Sequence, residues 1–264
     1  MDDAALAARL SGTRVLLCYG LLGEVMAGLA PMGMDYMAGQ LAWLRRLGVA
    51  AQVVKLPTAA PVGVNAGRIA AALLAEDAPA ILVAHSKGGL EALAALLRPG
   101  MAQRCRGFVA LQSPFFGSPL ADWLLGPRPL LLAAHHAARL AQLGTGRGLR
   151  DLTCSVRQAW MRDNAAGIAA LVARIPVATL ATQIGASGTW RESAYRPLAR
   201  WLEARGAGPN DGLVPVASAL LPGARQRILP GGHRALVTAG PGRDPVDVLR
   251  TELQHVVAQA IVAD

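Results

Sequence analysis

The stretch that most restricts how this chain can fold runs from Ala80 to Leu97. Ala80-Ile81-Leu82-Val83-Ala84 is an apolar run of buried-strand length, His85-Ser86-Lys87-Gly88 turns sharply, and the segment from Gly89 to Leu97 has helical spacing and strong helix formers. Strand, elbow and helix in immediate succession put Ser86 at the tip, in a strained backbone conformation, with its hydroxyl exposed above the amino end of the helix. Small residues two positions to either side let strand and helix approach each other. Here they are Ala84 and Gly88, so the pattern is Gly-x-Ser-x-Gly with its first glycine relaxed to alanine. Five residues alone also fit a turn with a helix-capping serine, but the flanking strand and helix favour the elbow.

The 264 residues suffice for one large α/β domain, read as spanning 1–264, and fall short of two. A 53% hydrophobic content raises the question of a membrane protein, yet no window offers about twenty uncharged apolar residues. A soluble chain without stable membrane insertion is expected. The start, Met1-Asp2-Asp3, lacks the basic opening of a secretory signal, which predicts a cytoplasmic protein unless a leader has been removed. The net charge of +9 comes from arginines scattered through every segment, without dense runs or interleaved aromatics, so no nucleic-acid partner is expected. Cys18, Cys105 and Cys154 have no metal-ligand spacing and predict no disulfide framework.

Along the chain, Thr13 to Cys18 reads as a first buried strand and Tyr19-Gly20-Leu21-Leu22-Gly23 as a glycine-rich bend. A bend there, ahead of the elbow, suits a backbone N–H aimed at an oxyanion. A helix over 35–47, a strand over 49–56, a helix over 64–75, the elbow unit and a strand over 107–112 follow. This alternation predicts a mostly parallel sheet with right-handed crossovers and helices on both faces. Between about 115 and 150 the alternation breaks at an apolar helical segment, Leu130 to Leu143, bracketed by prolines and glycines. It reads either as a lid-like insertion over the strand carboxyl ends or as a fixed surface helix. A largely helical stretch over 151–174, strands over 177–183 and 225–229, a short helix over 198–205 and a last helix over 245–262 complete the pattern.

An exposed serine attacks at neutral pH only if a base takes its proton, and that base needs a carboxylate to fix its tautomer. Of five histidines, His85 precedes the serine and is expected to point the other way, His135 and His136 lie in the insertion, and His255 is mid-helix. His233, in the glycine-flanked loop after the last strand, is the candidate base. Asp211, in the turn Asn210-Asp211-Gly212, is the candidate acid and gives the chain order Ser, Asp, His. Lys87 is one of two lysines and stands where a cation opposes the helix dipole. An i,i+4 pair with Glu91 is favoured over a partner at Glu24 or a substrate contact.

Together, Tyr19-Gly20-Leu21-Leu22-Gly23, Ala84-His85-Ser86-Lys87-Gly88-Gly89, Asp151-Leu152-Thr153 and Asn210-Asp211-Gly212-Leu213-Val214-Pro215 with His233 resemble the bacterial triacylglycerol lipases of the α/β-hydrolase superfamily. The resemblance implies Ser86, Asp211 and His233 as a catalytic triad, and the backbone N–H groups of Leu21 and Lys87 as the oxyanion hole. It implies a carboxylic ester with an apolar acyl group as substrate, met at a lipid or polymer interface, and no cofactor. Departures accompany it: Tyr19-Gly20 stands where the family has His-Gly, and Ala235 stands where many members carry a calcium-ligating aspartate, so no metal is expected. The expectation is a serine carboxylester hydrolase of esterase or lipase type. An intracellular polyester depolymerase or oligomer hydrolase and an acyltransferase are the alternatives, ahead of a non-catalytic binding relative.

Overall fold

A computed structural model describes residues 1–19, 36–57, 59–126, 147–185, 195–240 and 242–259. Among them the helices are α1 (Asp3–Leu10), α2 (Ala38–Arg46), α3 (Val62–Leu74), α4 (Lys87–Leu96), α5 (Pro119–Leu124), α6 (Arg147–Arg150), α7 (Cys154–Asp163), α8 (Ala165–Arg174), α9 (Arg196–Glu203), α10 (Val216–Ala219) and α11 (Pro245–Gln259). The strands are β1 (Arg14–Cys18), β2 (Ala50–Val54), β3 (Ala80–His85), β4 (Cys105–Leu111), β5 (Val177–Gln183) and β6 (Arg225–Pro230). They form one sheet in the order β2-β1-β3-β4-β5-β6, and every neighbouring pair is parallel.

The sheet is parallel because each connection carries a helix, and its inner strands read as unbroken apolar runs because both faces are covered. Strand alternation sorts the core in two. Leu16, Cys18, Leu82, Ala84, Phe108 and Ala110 pack with α3, α4, α7 and α8. On the opposite face Val15, Leu17, Ile81, Val83, Val109 and Leu111 pack with α1, α2 and α11. The edge strand β6 is largely exposed, and its Arg225 and Arg227 pair with Glu252 of α11 at 3.1 and 2.6 Å. Two helices with no side-chain cap of their own borrow a distant carboxylate. Asp151 Oδ2 accepts from the Val62 amide that opens α3 at 2.6 Å, and Asp122 Oδ1 accepts from that of Cys154 at the start of α7 at 3.0 Å.

The predicted α/β order is observed, with element ends shifted by a few residues. The stretch expected to be largely helical over 151–174 is two helices meeting at Asn164, whose φ of −107° and ψ of 11° leave the helical range while its side chain joins its amide in donating to the Trp160 carbonyl. Most of the insertion expected over 115–150, including its central helix, and the lid reading attached to it lie outside the described residues. The three cysteines are free thiols. No helix among the described residues is long and apolar enough to cross a membrane.

The chain passes from β1 out to β2 at one edge, then crosses back to place β3 on the other side of β1. This reversal leaves a crevice at the carboxyl ends of β1 and β3, where open α/β sheets bind ligands. Ser86 is the residue that follows β3.

Candidate active site

Ser86 has φ 54° and ψ −128°, a conformation that L-residues avoid and that turns β3 directly into α4. Its amide is held by the Leu111 carbonyl of β4 at 2.9 Å, so the turn is fixed from the neighbouring strand. The small residue at 88 is required by proximity, because a Cβ on Gly88 would lie 2.6 Å from the Cys18 carbonyl oxygen and 2.8 Å from that of Tyr19. Lys87 opens α4, and the amides of a first helical turn have no acceptor within the helix. The second expected oxyanion donor, Leu21, lies outside the described residues, as does the bend around it.

Two loops at the carboxyl end of the sheet bring the other side chains in. The loop after β5 carries Asp211 and the loop after β6 carries His233; the His233 amide donates to the Asp211 carbonyl at 3.0 Å, and that of Gly231 to Gln183 at 2.9 Å. Tyr195 fits between them: a Cβ on Gly212 would lie 2.7 Å from its Cβ, and one on Gly232 2.9 Å from its ring. From the far side, α2 pins the turn beyond His233, with Gln40 Nε2 donating to the Leu236 carbonyl at 2.9 Å and the Met37 amide to that of Val237 at 2.8 Å.

Ser86, Asp211 and His233 thus meet in space. His233 Nε2 lies 2.9 Å from Ser86 Oγ, and His233 Nδ1 lies 2.8 Å from Asp211 Oδ2. Because a carboxylate only accepts, the neutral ring carries its proton on Nδ1 and presents a free lone pair to the serine hydroxyl. The other carboxylate oxygen, Asp211 Oδ1, accepts from the amides of Leu213 and Val214 at 2.9 and 2.7 Å. The turn chemistry of Asn210-Asp211-Gly212 therefore coexists with the histidine contact, one oxygen serving each. Contrary to the expectation of an exposed hydroxyl, Ser86 is buried, as are Asp211 and His233.

Sequence reasoning set His85 aside as the base; its ring does not face Ser86, yet it has another place at the site. Its ring centroid is 4.8 Å from that of His233, and its Nε2 lies 2.8 Å from the His233 carbonyl oxygen and 3.2 Å from Gln112 Oε1. Two acceptors at Nε2 put the proton there, so the Tyr36 hydroxyl donates to Nδ1. Burial, the neighbouring His233 and Arg234 hold the His85 imidazole well below the usual histidine range, against the pull of these hydrogen bonds. His85 is therefore a neutral prop beneath the His233 backbone. Gln112, at the end of β4, was not singled out by the sequence at all, since a lone glutamine after a strand carries no motif.

Lys87 and Glu91 form the expected i,i+4 pair, completely buried. Lys87 Nζ also donates to the Ala60 carbonyl at 2.7 Å, and Asn65 Nδ2 donates to Glu91 Oε1 at 2.7 Å. Burial raises the Glu91 pKa even so, against the opposing effect of Lys87. Glu24 lies outside the described residues. Ala235, where a calcium ligand was considered, is a buried apolar side chain, and no group of three or more metal-ligating side chains is gathered among the described residues.

No protein-family model and no curated protein matches this sequence. Solved structures do resemble it. A metagenomic carboxyl esterase, MGS0156, superposes with a TM-score of 0.69 at 23% identity, over 96% of this chain and 75% of that one. The Bacillus licheniformis lipase BlEst2, in mature form, gives 0.68 at 21% identity over 92% and 91%. Phospholipase PlaB from Legionella pneumophila gives 0.62 at 13% identity over 95% and 62%. At these identities the likeness is one of architecture, and that architecture is the α/β-hydrolase fold.

Proposed function

We propose that this chain is a serine carboxylester hydrolase of esterase or lipase type, acting on esters with an apolar acyl group through Ser86, His233 and Asp211. The observation that carries the reading is the unbroken line from Ser86 Oγ to His233 Nε2 at 2.9 Å and from His233 Nδ1 to Asp211 Oδ2 at 2.8 Å, on a strained elbow of the α/β-hydrolase fold. The fold neighbours named above include a carboxyl esterase, a lipase and a phospholipase, which supports the ester bond as the target.

In this mechanism His233 takes the Ser86 proton as Oγ attacks the ester carbonyl, and Asp211 stabilises the imidazolium without itself becoming protonated. The tetrahedral oxyanion is received by backbone amides, assigned here to Lys87 and Leu21. His233 then protonates the leaving alcohol, which departs and leaves an acyl group on Ser86. Water, deprotonated by the same ring, releases the acid and restores the serine.

Hydrolysis of p-nitrophenyl esters of short and long acyl chains by the wild type and by Ser86→Ala is the test. The wild type is expected to turn over and to be labelled at Ser86 by a fluorophosphonate, while the variant loses at least about 10³-fold in kcat and all labelling. Equal rates for the two proteins would overturn the reading.

A further inference from the structure

One polar side chain touches Asp211 and the backbone that carries His233 without having a part in the proposed mechanism. The carboxamide of Gln112 is completely buried at the end of β4. Its Nε2 donates to Thr182 Oγ1 and lies 3.2 Å from Asp211 Oδ2 and 2.9 Å from the Gly232 carbonyl oxygen. Its Oε1 faces His85 Nε2, the nitrogen that also donates to the carbonyl of His233. One amide therefore ties together the carboxylate oxygen that holds the His233 ring, the peptide carbonyl before His233 and, through His85, the carbonyl of His233 itself.

The backbone makes this placement expensive. Gln112 has φ 52°, in the left-handed region that residues other than glycine disfavour. Glycine would take this conformation freely, so the side chain is retained at a position whose backbone disfavours it. Strain held in place at a site is grounds for assigning it a role there. A geometric reason exists as well. Asp211 and His233 stand on two separate loops, and a ring that can rotate about its own side-chain bonds keeps its line to Ser86 only if both loops are held in register.

We propose that Gln112 is a positioning residue of this site: its carboxamide sets the spacing between the Asp211 carboxylate and the 232–233 backbone, and so aims His233 at Ser86. This inference rests on the hydrolase reading above. A glutamate would be nearly the same shape but would bring a second carboxylate against Asp211 and offer no donor.

The test uses Gln112→Gly and Gln112→Asn, because both residues adopt positive φ readily, together with Ser86→Ala and His233→Ala as references. Thermal unfolding first identifies the folded variants, and two substitutions guard against one failing to fold. For p-nitrophenyl butyrate, kcat is expected to fall about ten- to hundredfold with KM within about twofold of wild type, as for lost alignment in place of lost binding. In proton spectra, the downfield imidazole N–H signal of His233, identified by its absence in His233→Ala, is expected to broaden or vanish in both Gln112 variants. A folded variant with kcat within about twofold of wild type would overturn the proposal, as would a fall in kcat that leaves this signal unchanged. Should the wild type and Ser86→Ala prove equally inert toward esters, the hydrolase reading fails, and the N–H signal still decides whether Gln112 governs the His233–Asp211 bond.

Discussion

The two sides of Ser86 bury polar side chains in opposite ways. Toward the His233 loop lie His85, Gln112, Asp211 and His233, drawn from β3, the end of β4 and the loops after β5 and β6. Toward α3 lie Lys87, Glu91 and Asn65, two of them one helical turn apart on α4. In the first group a single carboxylate is surrounded by neutral donors: two backbone amides, one side-chain amide and one imidazole. In the second a carboxylate is matched by a full cation. Burying a formal ion pair fixes structure and leaves nothing to change, whereas a lone carboxylate satisfied by neutral groups has room to stabilise a positive charge that appears only during reaction. The difference separates a set that can move protons from one that holds the elbow helix in place.

The sharpest way to break this contrast is Asp211→Asn. The amide oxygen can still accept from Leu213 and Val214, but an NH₂ group replaces the acceptor of His233 Nδ1–H, which favours the wrong tautomer. Ester-hydrolysis kcat is expected to fall about 10³- to 10⁴-fold while the unfolding midpoint moves little, read by steady-state kinetics beside a denaturant titration. Glu91→Ala should do the reverse. It strands the Lys87 ammonium in the interior, for a loss of about 3 kcal/mol in urea unfolding, with kcat/KM per folded molecule within about threefold of wild type.

A smaller effect follows from the neutral His85. Its folded-state pKa lies well below its unfolded value, so the unfolded chain binds the extra proton once pH drops below the usual histidine range. The stability it contributes is present above that range and is lost as pH falls. Wild type should therefore lose on the order of 1 kcal/mol per pH unit more than His85→Gln between about pH 6 and 5, measured as the difference between two denaturation series. Comparing slopes in this way removes Glu91, whose raised pKa acts in the opposite direction in both proteins. The smallest change is expected from Ala84→Gly, which restores the common motif: a cost of about 0.5–1 kcal/mol from strand flexibility and activity within about twofold.

How much of this was readable beforehand depended on whether the information was local. The elbow was, because a period-free apolar run and a helical run meet at a serine, and the parallel sheet followed from the alternation of strands and helices. Asp211 and His233, which lie beside Ser86 in the structure, were singled out by their turn residues and their order along the chain. The supporting contacts of His85 went unread for a definite reason. Alternation correctly puts it on the face of Ile81 and Val83, opposite Ala84, but which loop covers that face is set by where β6 docks. Gln112 was invisible, since neither its positive φ nor its contacts with residues 70, 99 and 120 positions away leave a trace in neighbouring letters. The break at Asn164 was missed because its flanking segments are both good helix formers.

The serine and the ring beside it are 147 positions apart, and the strand that carries the ring's loop lies at one edge of the sheet and is the last of the described strands to be made. During synthesis, then, the elbow can be complete on the ribosome before the ring that lies beside its serine exists. A polypeptide stopped short of β6 would carry the strained turn and its serine with no imidazole across from it.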